Sequence, residues 1–263
     1  MPYLFATEHH NDADYAAGRV FYSLPGHPAF PVRLASEIFQ RCLALRKADG
    51  LTAPCALYDP CCGGAYHLAT AAYLHGEHIA SITASDIDAE VLALARRNLE
   101  LLTLPGLDRR IAELELLWAD YGKRSHEDAL ASAERLRERL SSLTERHTIA
   151  LSVFQADALD RPRILGEVGA HAVDVVTTDV PYNRLSAWQG DAVAAAPPDP
   201  LWQMLEALRS VLAPGAVVAI ASDKGQKAAH EAYRRVDRFQ IGKRRIILLR
   251  PSTESMGKKE GQF

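Results

Sequence analysis

Short apolar runs and amphipathic segments alternate along this chain. Apolar runs that predict buried strands cover residues 53–58, 79–85, 149–154, 173–178 and 216–221. Around them, apolar side chains recur at helical spacing in residues 32–45, 66–74, 89–102 and 201–212. Strands that alternate with helices form a parallel sheet, because each right-handed crossover carries a helix over one face of it. The predicted fold class is therefore α/β, with helices on both faces of a mostly parallel sheet.

Two long segments fall outside this alternation. Residues 1–30 are rich in His, Pro and aromatic side chains without a period, which predicts an irregular N-terminal arm. Phe21, Tyr22 and Phe30 of this arm either close over a ligand or pack under the sheet. Residues 103–148 have a helical pattern and mixed charge, with 8 basic and 9 acidic side chains between positions 108 and 146. This predicts a helical insertion at the edge of the domain.

The C-terminal end predicts a hairpin and a tail. Residues 238–241 and 245–250 have the composition of an antiparallel pair of strands. Residues 251–263 are polar, which predicts a frayed end. We expect a single domain that spans residues 1–263.

Composition excludes several classes of protein. The sequence contains no run of about 18 apolar residues, so no membrane span is expected. Its first residues lack a basic region followed by an apolar core, so no secretory signal is expected either. The four cysteines, Cys42, Cys55, Cys61 and Cys62, show no zinc-ligand spacing. We therefore expect reduced thiols, no metal, and a cytoplasmic protein.

Positive charge is concentrated near the C-terminus. The whole chain has a net charge of −3, whereas residues 224–263 contain 11 Lys or Arg against 4 Asp or Glu. Such asymmetry predicts either one basic face or an ordinary solvated surface. If the partner is RNA, the candidate phosphate contacts are Arg234, Arg235, Arg238, Lys243, Arg244 and Arg245.

A glycine turn follows the first predicted strand. Asp59-Pro60-Cys61-Cys62-Gly63-Gly64-Ala65 leads directly into the next helix. Its two glycines let the backbone approach a ligand, and the helix N-terminus offers free amides to a carboxylate. The alternative is an ordinary turn with Asp59 as turn former.

Acidic residues follow the next three strands. Asp86 lies about 20 residues past the glycines, where a carboxylate binds ribose hydroxyls. Asp157 is placed to accept a hydrogen bond from an adenine amino group, and Asp88 is expected to cap the following helix. Asp179-Val180-Pro181-Tyr182 combines a carboxylate, a rigid turn and an aromatic face, which suits a flat base with an exocyclic amine. The alternative roles are a helix cap for Asp86, a loop acid for Asp157 and a surface turn for residues 179–182.

In this order, these elements resemble those of the class I S-adenosylmethionine-dependent methyltransferases across residues 31–250. Residues 59–65 resemble the DPxCGxG turn of the base N-methyltransferases, and residues 179–182 resemble their (N/D)PPY loop. Residues 31–35 and 182–185 are similar to the first helix and the PPYGxRL extension of the rRNA guanine-N2 methyltransferases. The chain is identified as a member of the avilamycin-resistance 23S rRNA guanine methyltransferases.

The resemblance implies a fold, a cofactor and a partner. The fold is the class I methyltransferase Rossmann-like fold, a mostly parallel seven-stranded sheet with an antiparallel last strand, plus the helical insertion. The partner implied is 23S rRNA or the large ribosomal subunit, bound by a monomer. The residues implied to bind S-adenosylmethionine are Asp59, Cys61, Gly63, Gly64, Asp86, Ile87, Asp157 and Ala158.

The resemblance also implies the catalytic residues Asp179, Val180, Pro181 and Tyr182. Asp179 and the carbonyl of Val180 would accept the N–H bonds of an exocyclic amine, while Tyr182 would stack on the base. Two departures stand out: Ala65 replaces a glycine, and Val180 replaces a proline. The first tightens the cofactor loop, and the second loses rigidity but keeps the carbonyl.

Four alternatives stay open at this stage. A DNA adenine-N6 methyltransferase would share the amine chemistry, but this chain has no segment that reads as a separate target-recognition domain. A small-molecule or protein-glutamine methyltransferase would not need the basic C-terminal segment. A non-catalytic RNA-binding module would not need the three acids Asp86, Asp157 and Asp179. A nicotinamide-binding protein would carry GxGxxG spacing in its turn.

Overall fold

A seven-stranded sheet forms the centre of the protein in this computed structural model. The structure describes residues 3–8, 11–25, 29–180, 199–223, 225–226 and 228–252. The strands are β1 (Cys55–Asp59), β2 (Ile79–Asp86), β3 (Ala150–Gln155), β4 (Val173–Asp179), β5 (Leu212–Ser222), β6 (Tyr233–Ile241) and β7 (Arg244–Pro251). Their order is β3-β2-β1-β4-β5-β7-β6. Strand β7 is antiparallel to both of its neighbours, and the other pairs are parallel. The predicted fold class is confirmed.

Helices cover both faces of the sheet, as the alternating pattern predicts. They are α1 (Val32–Ala48), α2 (Tyr66–His75), α3 (Ala89–Glu100), α4 (Leu104–Tyr121), α5 (Arg124–Thr144), α6 (Arg161–Val168) and α7 (Pro200–Leu208). One apolar core joins the first five helices to one face of the sheet. A second core joins α6 and α7 to the other face. None of the helices in the described segments is long and apolar enough to cross a membrane.

Local sequence signals explain several helix boundaries. Asp88 caps α3 as expected, because its carboxylate accepts the backbone N–H of Glu90 at 2.8 Å. Helix α7 follows the same rule, with Asp199 before the proline of its first turn.

Two strands begin earlier than the sequence pattern predicts. Strand β5 begins at Leu212, since a bulge between the pairs Val173–Leu212 and Val175–Val217 accommodates the Pro-Gly turn. Strand β6 begins at Tyr233, because pairing with β7 overrides its weakly apolar start. The predicted frayed tail, residues 251–263, begins too early, because Pro251 ends β7 and the N–H of Ser252 donates to the Ala232 carbonyl at 2.8 Å. Residues 253–263 lie outside the described residues.

The predicted insertion consists of the helices α4 and α5, joined by a two-residue link. Their facing side chains are buried, among them Leu114, Ala133 and Leu136. On α4, Arg110 donates hydrogen bonds to the carbonyls of Arg19 and Val20 in the N-terminal arm, at 3.1 and 2.9 Å. The helical pair therefore holds the arm against the domain.

The N-terminal arm packs against the helices through a few aromatic side chains. The fully buried ring of Phe21 lies against the rings of Tyr15, Tyr66 and Tyr73. The Arg97 guanidinium stacks on the ring of Tyr22, with its carbon 3.7 Å from the ring centre. For Phe21 and Tyr22 the packing alternative is therefore correct.

The start of the chain is held by one buried carboxylate. Glu37 on α1 is fully buried, and it accepts the backbone N–H groups of Leu4, Phe5 and Ala6 at 2.7 to 2.9 Å. Arg41 Nε donates to the same carboxylate at 2.7 Å. Burial alone would raise the pKa of Glu37, but these hydrogen bonds outweigh it and lower that pKa.

Replacing Glu37 with Gln is expected to lower the free energy of unfolding by about 1.5–3 kcal/mol at neutral pH, because three amides and a guanidinium lose a charged acceptor. Urea denaturation measures the change. The folded-state pKa of Glu37 lies below the unfolded one, so its contribution is present above about pH 4.3 and is lost as the pH falls. The difference between the two proteins should therefore shrink in acid.

The matched control is Glu115→Gln, on the exposed surface of α4, where no change in stability is expected. A Glu37→Gln protein as stable as the wild type at pH 7 would contradict this role of the carboxylate.

Candidate active site

Strands β1 and β4 place two predicted site acids side by side. The two strands pair in parallel, with Leu57 opposite Val175 and Tyr58 opposite Val176. The strand order reverses at this pair, and open α/β sheets bind ligands in the crevice at such a point. Asp59 ends β1 and Asp179 ends β4. The structure therefore brings both carboxylates to one edge.

The glycine turn after β1 is folded onto the end of β2. The N–H of Cys61 donates to Asp59 Oδ1, and the N–H of Cys62 donates to the Ser85 carbonyl, both at 2.9 Å. Gly63 has a positive φ of 51°, and a Cβ built there would meet no atom within 4 Å. Its face is therefore open, as a close approach of a ligand to the backbone requires.

Ala65 takes up the conformation that a glycine would favour. Its φ is +53°, in the left-handed region, and it caps the N-terminus of α2. Such a conformation costs an L-residue roughly 1–2 kcal/mol. The departure from glycine in the motif therefore places backbone strain at the end of the glycine turn.

Asp86 connects β2 to the glycine turn. Its Oδ2 accepts the N–H of Gly63 at 2.9 Å, and its Oδ1 accepts the N–H of Asp88 at 3.1 Å. Burial raises the pKa of Asp86, although these amides oppose it. The carboxylate is only half-buried, so it keeps room for hydroxyl donors. Ile87, the next residue, is also half-buried, and its carbonyl accepts Gln155 Nε2 at 2.8 Å.

The last predicted cofactor-binding residues, Asp157 and Ala158, follow the end of β3. The N–H of Ala156 donates to the Asp86 carbonyl at 3.1 Å, which fixes this strand end beside β2. Asp157 is half-buried and accepts the N–H of Leu159, while Ala158 is buried. The predicted cofactor residues thus follow three adjacent strand ends.

Asp179 lies beside a cation. Its Oδ2 is 3.4 Å from a terminal nitrogen of Arg244, and no described residue hydrogen-bonds its buried Oδ1. Burial raises the pKa of Asp179 to about 6, although the guanidinium lowers it. Val180 is fully buried, and its N–H donates to the Ala221 carbonyl at 3.1 Å. Pro181 and Tyr182, as well as the motif residues 183–185, lie outside the described residues.

His67 belongs to the site, although the sequence analysis did not identify it. It is buried near the start of α2, and its Nε2 lies 3.2 Å from both Asp59 Oδ2 and the Thr177 carbonyl. The ring of Phe30 lies 5.5 Å away, so this part of the arm does reach the site. Burial lowers the pKa of His67 and keeps the ring neutral. A single His inside an apolar helix carries no local signal for this role.

Asp59 is a buried carboxylate with few hydrogen bonds to compensate for its loss of water. Its side chain is fully buried, and among described groups its Oδ2 receives no hydrogen bond. Burial raises its pKa to about 7, although the Cys61 amide lowers it. Burial also raises the thiol pKa of Cys61 and Cys62. A protonated thiol is a weak nucleophile, so burial disfavours a nucleophilic role for either cysteine.

Asn98 on α3 is a second residue that the sequence analysis missed. It is fully buried and donates to the carbonyls of Gly64 and Tyr22 at 2.8 and 3.1 Å. Its Oδ1 accepts the N–H of Tyr22 at 2.8 Å. One side chain thus ties the glycine turn to the N-terminal arm. The sequence offers no signal for it, because both partners are distant along the chain.

The predicted phosphate contacts do not form one cluster. Arg234 and Arg235 are exposed at the start of the edge strand β6, and Arg238 is exposed near its middle. Lys243 and Arg245 lie at the far end, where β7 begins beside the end of β5. Arg234, Arg235, Arg238 and Lys243 mark an exposed stripe along the edge of the sheet, whereas Arg245 is half-buried on β7. Arg244 differs from them, because it points to Asp179.

The described residues contain no group of three or more His, Cys, Asp or Glu side chains that could hold a metal ion. The four cysteines are free.

Comparison with known proteins shows that this chain matches a protein family. The family model described as rRNA methyltransferase AviRa matches residues 1–244. The 23S rRNA (guanine(2535)-N(1))-methyltransferase of Streptomyces viridochromogenes is 40% identical over 249 residues, which cover 94% of this chain and 95% of that protein.

Two solved structures of the rRNA methyltransferase AviRa from the same organism superpose on this chain with TM-scores of 0.82 and 0.83. They are 37% and 36% identical to it, cover 94% and 95% of it, and are each matched over 96% of their own length.

Replacing Asp59 with Asn is expected to remove a pH-dependent loss of stability. The folded-state pKa of about 7 lies above the unfolded value of about 3.9, so the wild type loses stability as the pH rises through this interval. Asn cannot ionise, and it still accepts the Cys61 amide. The variant should gain on the order of 2–4 kcal/mol relative to the wild type between pH 4 and pH 8.

Urea denaturation at these two pH values measures the gain. Asp120→Asn, at an exposed acid of α4, serves as the control and should follow the wild type. Parallel pH profiles for Asp59→Asn and wild type would mean that the Asp59 carboxyl ionises normally.

Proposed function

This chain belongs to the AviRa family of rRNA methyltransferases, and we propose that it transfers a methyl group from S-adenosylmethionine to a guanine base of 23S rRNA. The observation that carries the proposal is the pair of carboxylates, Asp59 and Asp179, at the point where the strand order reverses. One acid ends the strand before the glycine turn, and the other ends the strand whose loop would receive the base.

The residues at the three adjacent strand ends fit the cofactor. The open face of Gly63 and the amides at the start of α2 suit the carboxylate tail. Asp86 is half-buried and suits the ribose hydroxyls, and Asp157 suits the adenine amino group. S-adenosylmethionine supplies an electrophilic methyl group on a sulfonium. Two carboxylates next to this position favour a cation electrostatically.

The target atom that we propose is guanine N1, which revises the exocyclic amine expected from the sequence. The relative from S. viridochromogenes is a guanine-N1 methyltransferase. In guanine, N1–H and one N2–H point the same way, so a single carboxylate accepts both. Asp179 therefore orients the base through both bonds and takes the proton from N1.

Proximity and charge account for the rate. Holding N1 in line with the methyl group removes the entropic cost of bringing the reactants together. Asp179 must be ionised to accept the proton, and its pKa of about 6 makes it so at neutral pH. The rate should therefore fall as the pH is lowered through about 6.

The biological consequence that we infer is resistance to avilamycin, through a methyl group added to the ribosome. The stripe of exposed arginines along β6 would contact rRNA phosphates, which position the RNA without reading its sequence. The protein would act as a monomer in the cytoplasm, on free 23S rRNA or on the large ribosomal subunit.

The test is transfer of a radiolabelled methyl group from S-adenosylmethionine to 23S rRNA, 50S subunits, 16S rRNA or duplex DNA. The wild type should label 23S rRNA or its subunit, and primer extension should stop at one guanine, because a methyl group on N1 blocks base pairing. Asp179→Ala should reduce the rate by about 10²–10⁴-fold through loss of the base.

Asp120→Asn is the matched control and should label RNA at the wild-type rate. Label without a stop would place the methyl group elsewhere on the base. Label in DNA alone would replace the proposal with the adenine-N6 alternative.

A further inference from the structure

Arg244 lies beside Asp179 at the candidate active site and not among the exposed arginines that could contact phosphates. It is the first residue of β7, so its backbone lies at the carboxyl edge of the sheet, next to the end of β5. Its side chain is only 21% exposed, and a terminal nitrogen lies 3.4 Å from Asp179 Oδ2. The guanidinium carbon lies 5.0 Å from the centre of the Phe30 ring, which supports one face of the group. The cation is therefore fixed at the site.

The pair Arg244–Asp179 has unused hydrogen-bonding capacity. Among described groups, neither the buried Arg244 Nε nor the buried Asp179 Oδ1 has a hydrogen-bond partner. The one bond between the two side chains is long, at 3.4 Å. Guanidinium presents five donors in a rigid plane, and a carboxylate has about four acceptor positions. Polar groups buried in this way are normally satisfied, so both side chains retain capacity for a polar ligand that contacts the two together.

We propose that Arg244 donates a hydrogen bond to O6 of the target guanine while Asp179 accepts N1–H and N2–H, so that the pair both selects guanine and stabilises its deprotonated form. This inference rests on the proposed function. It assigns to Arg244 a contact with the reacting base instead of a contact with a phosphate.

The chemical step shows why the cation matters. The N1–H bond breaks, its proton moves to the Asp179 carboxylate, and its electron pair stays on the base, shared between N1 and O6. That pair forms the new bond from N1 to the methyl carbon. The carbon–sulfur bond breaks toward sulfur, which leaves S-adenosylhomocysteine, N1-methylguanine and one proton for solvent. Arg244 stabilises the negative charge that develops on O6.

The same geometry excludes adenine. Guanine carries an acceptor at position 6, whereas adenine carries an amino donor there. An adenine amino group would face the guanidinium donors and leave both groups unpaired. Sites that rely on a hydrogen bond to one substrate group reject analogues without it by about 10⁴–10⁵-fold.

Single-turnover methylation of 23S rRNA at saturating enzyme tests the inference. Arg244→Ala should lower the maximal rate by about 10²–10³-fold, as expected for loss of one donor to a developing oxyanion. Arg244→Lys should recover part of the rate, because an ammonium still donates but lacks the planar fork. The acid limb of the pH profile should move to higher pH in Arg244→Ala, since Asp179 loses its neighbouring cation.

A substrate change separates contact with O6 from an effect on Asp179 alone. Once the target position has been identified, it is replaced by 6-thioguanosine, whose sulfur is a weaker acceptor. If Arg244 binds O6, the ratio of rates on the two bases should differ by at least about 10-fold between the wild type and Arg244→Ala. Equal ratios would overturn the contact.

Two further outcomes are distinguishable. If Arg244→Ala keeps the maximal rate and only weakens RNA binding with a smaller salt slope, Arg244 is a phosphate contact and the inference is overturned. If the wild type itself leaves guanine unmodified, the proposed function fails first. Arg137→Ala, at an exposed arginine that pairs with Asp108 at 2.6 Å on the helical insertion, is the matched control and should behave as wild type.

Discussion

The parallel pairing of β1 with β4 is the contact on which the site depends. These strands are central in the sheet, and the chain leaves them in opposite directions. Both strands are buried along most of their length, and in open α/β sheets ligands bind at the carboxyl ends of the strands. A polar side chain that follows either strand is therefore directed into one crevice. Asp59 and Asp179 meet for this topological reason, although they are 120 residues apart in the sequence.

The crevice contains two buried carboxylates but few cationic side chains, and this imbalance determines its electrostatics. Burial raises the pKa of both Asp59 and Asp179, and it also keeps His67 neutral. Arg244 lies beside Asp179, whereas the oxygen of Asp59 that faces His67 receives no hydrogen bond from the described residues. Such an arrangement destabilises the ligand-free fold but favours a positively charged ligand. The stability lost to two buried carboxylates is thus directed toward binding.

The parts of this protein that could be predicted are those with a local signal. The glycine turn, the cap at Asp88 and the acid after each strand depend on neighbours within a few residues, and the structure places them as expected. Asn98 contacts the Gly64 carbonyl 34 residues away, and Arg244 contacts Asp179 65 residues away. His67 contacts Asp59 8 residues away and the Thr177 carbonyl 110 residues away. No spacing rule connects such pairs, since only the folded sheet brings them together. Net charge similarly predicted a basic segment but not that one arginine turns inward.

The helical insertion is linked to the glycine turn through the N-terminal arm. Arg110 on α4 holds the carbonyls of Arg19 and Val20, which places Tyr22 against Asn98. Asn98 in turn holds the Gly64 carbonyl inside the glycine turn. Each link is a hydrogen bond that is at least partly buried, so weakening one leaves a polar group without its partner. A segment far from the crevice thereby supports the backbone of the glycine turn, and its balanced charge agrees with a structural role. The basic stripe, by contrast, lies on β6, the edge strand of the sheet.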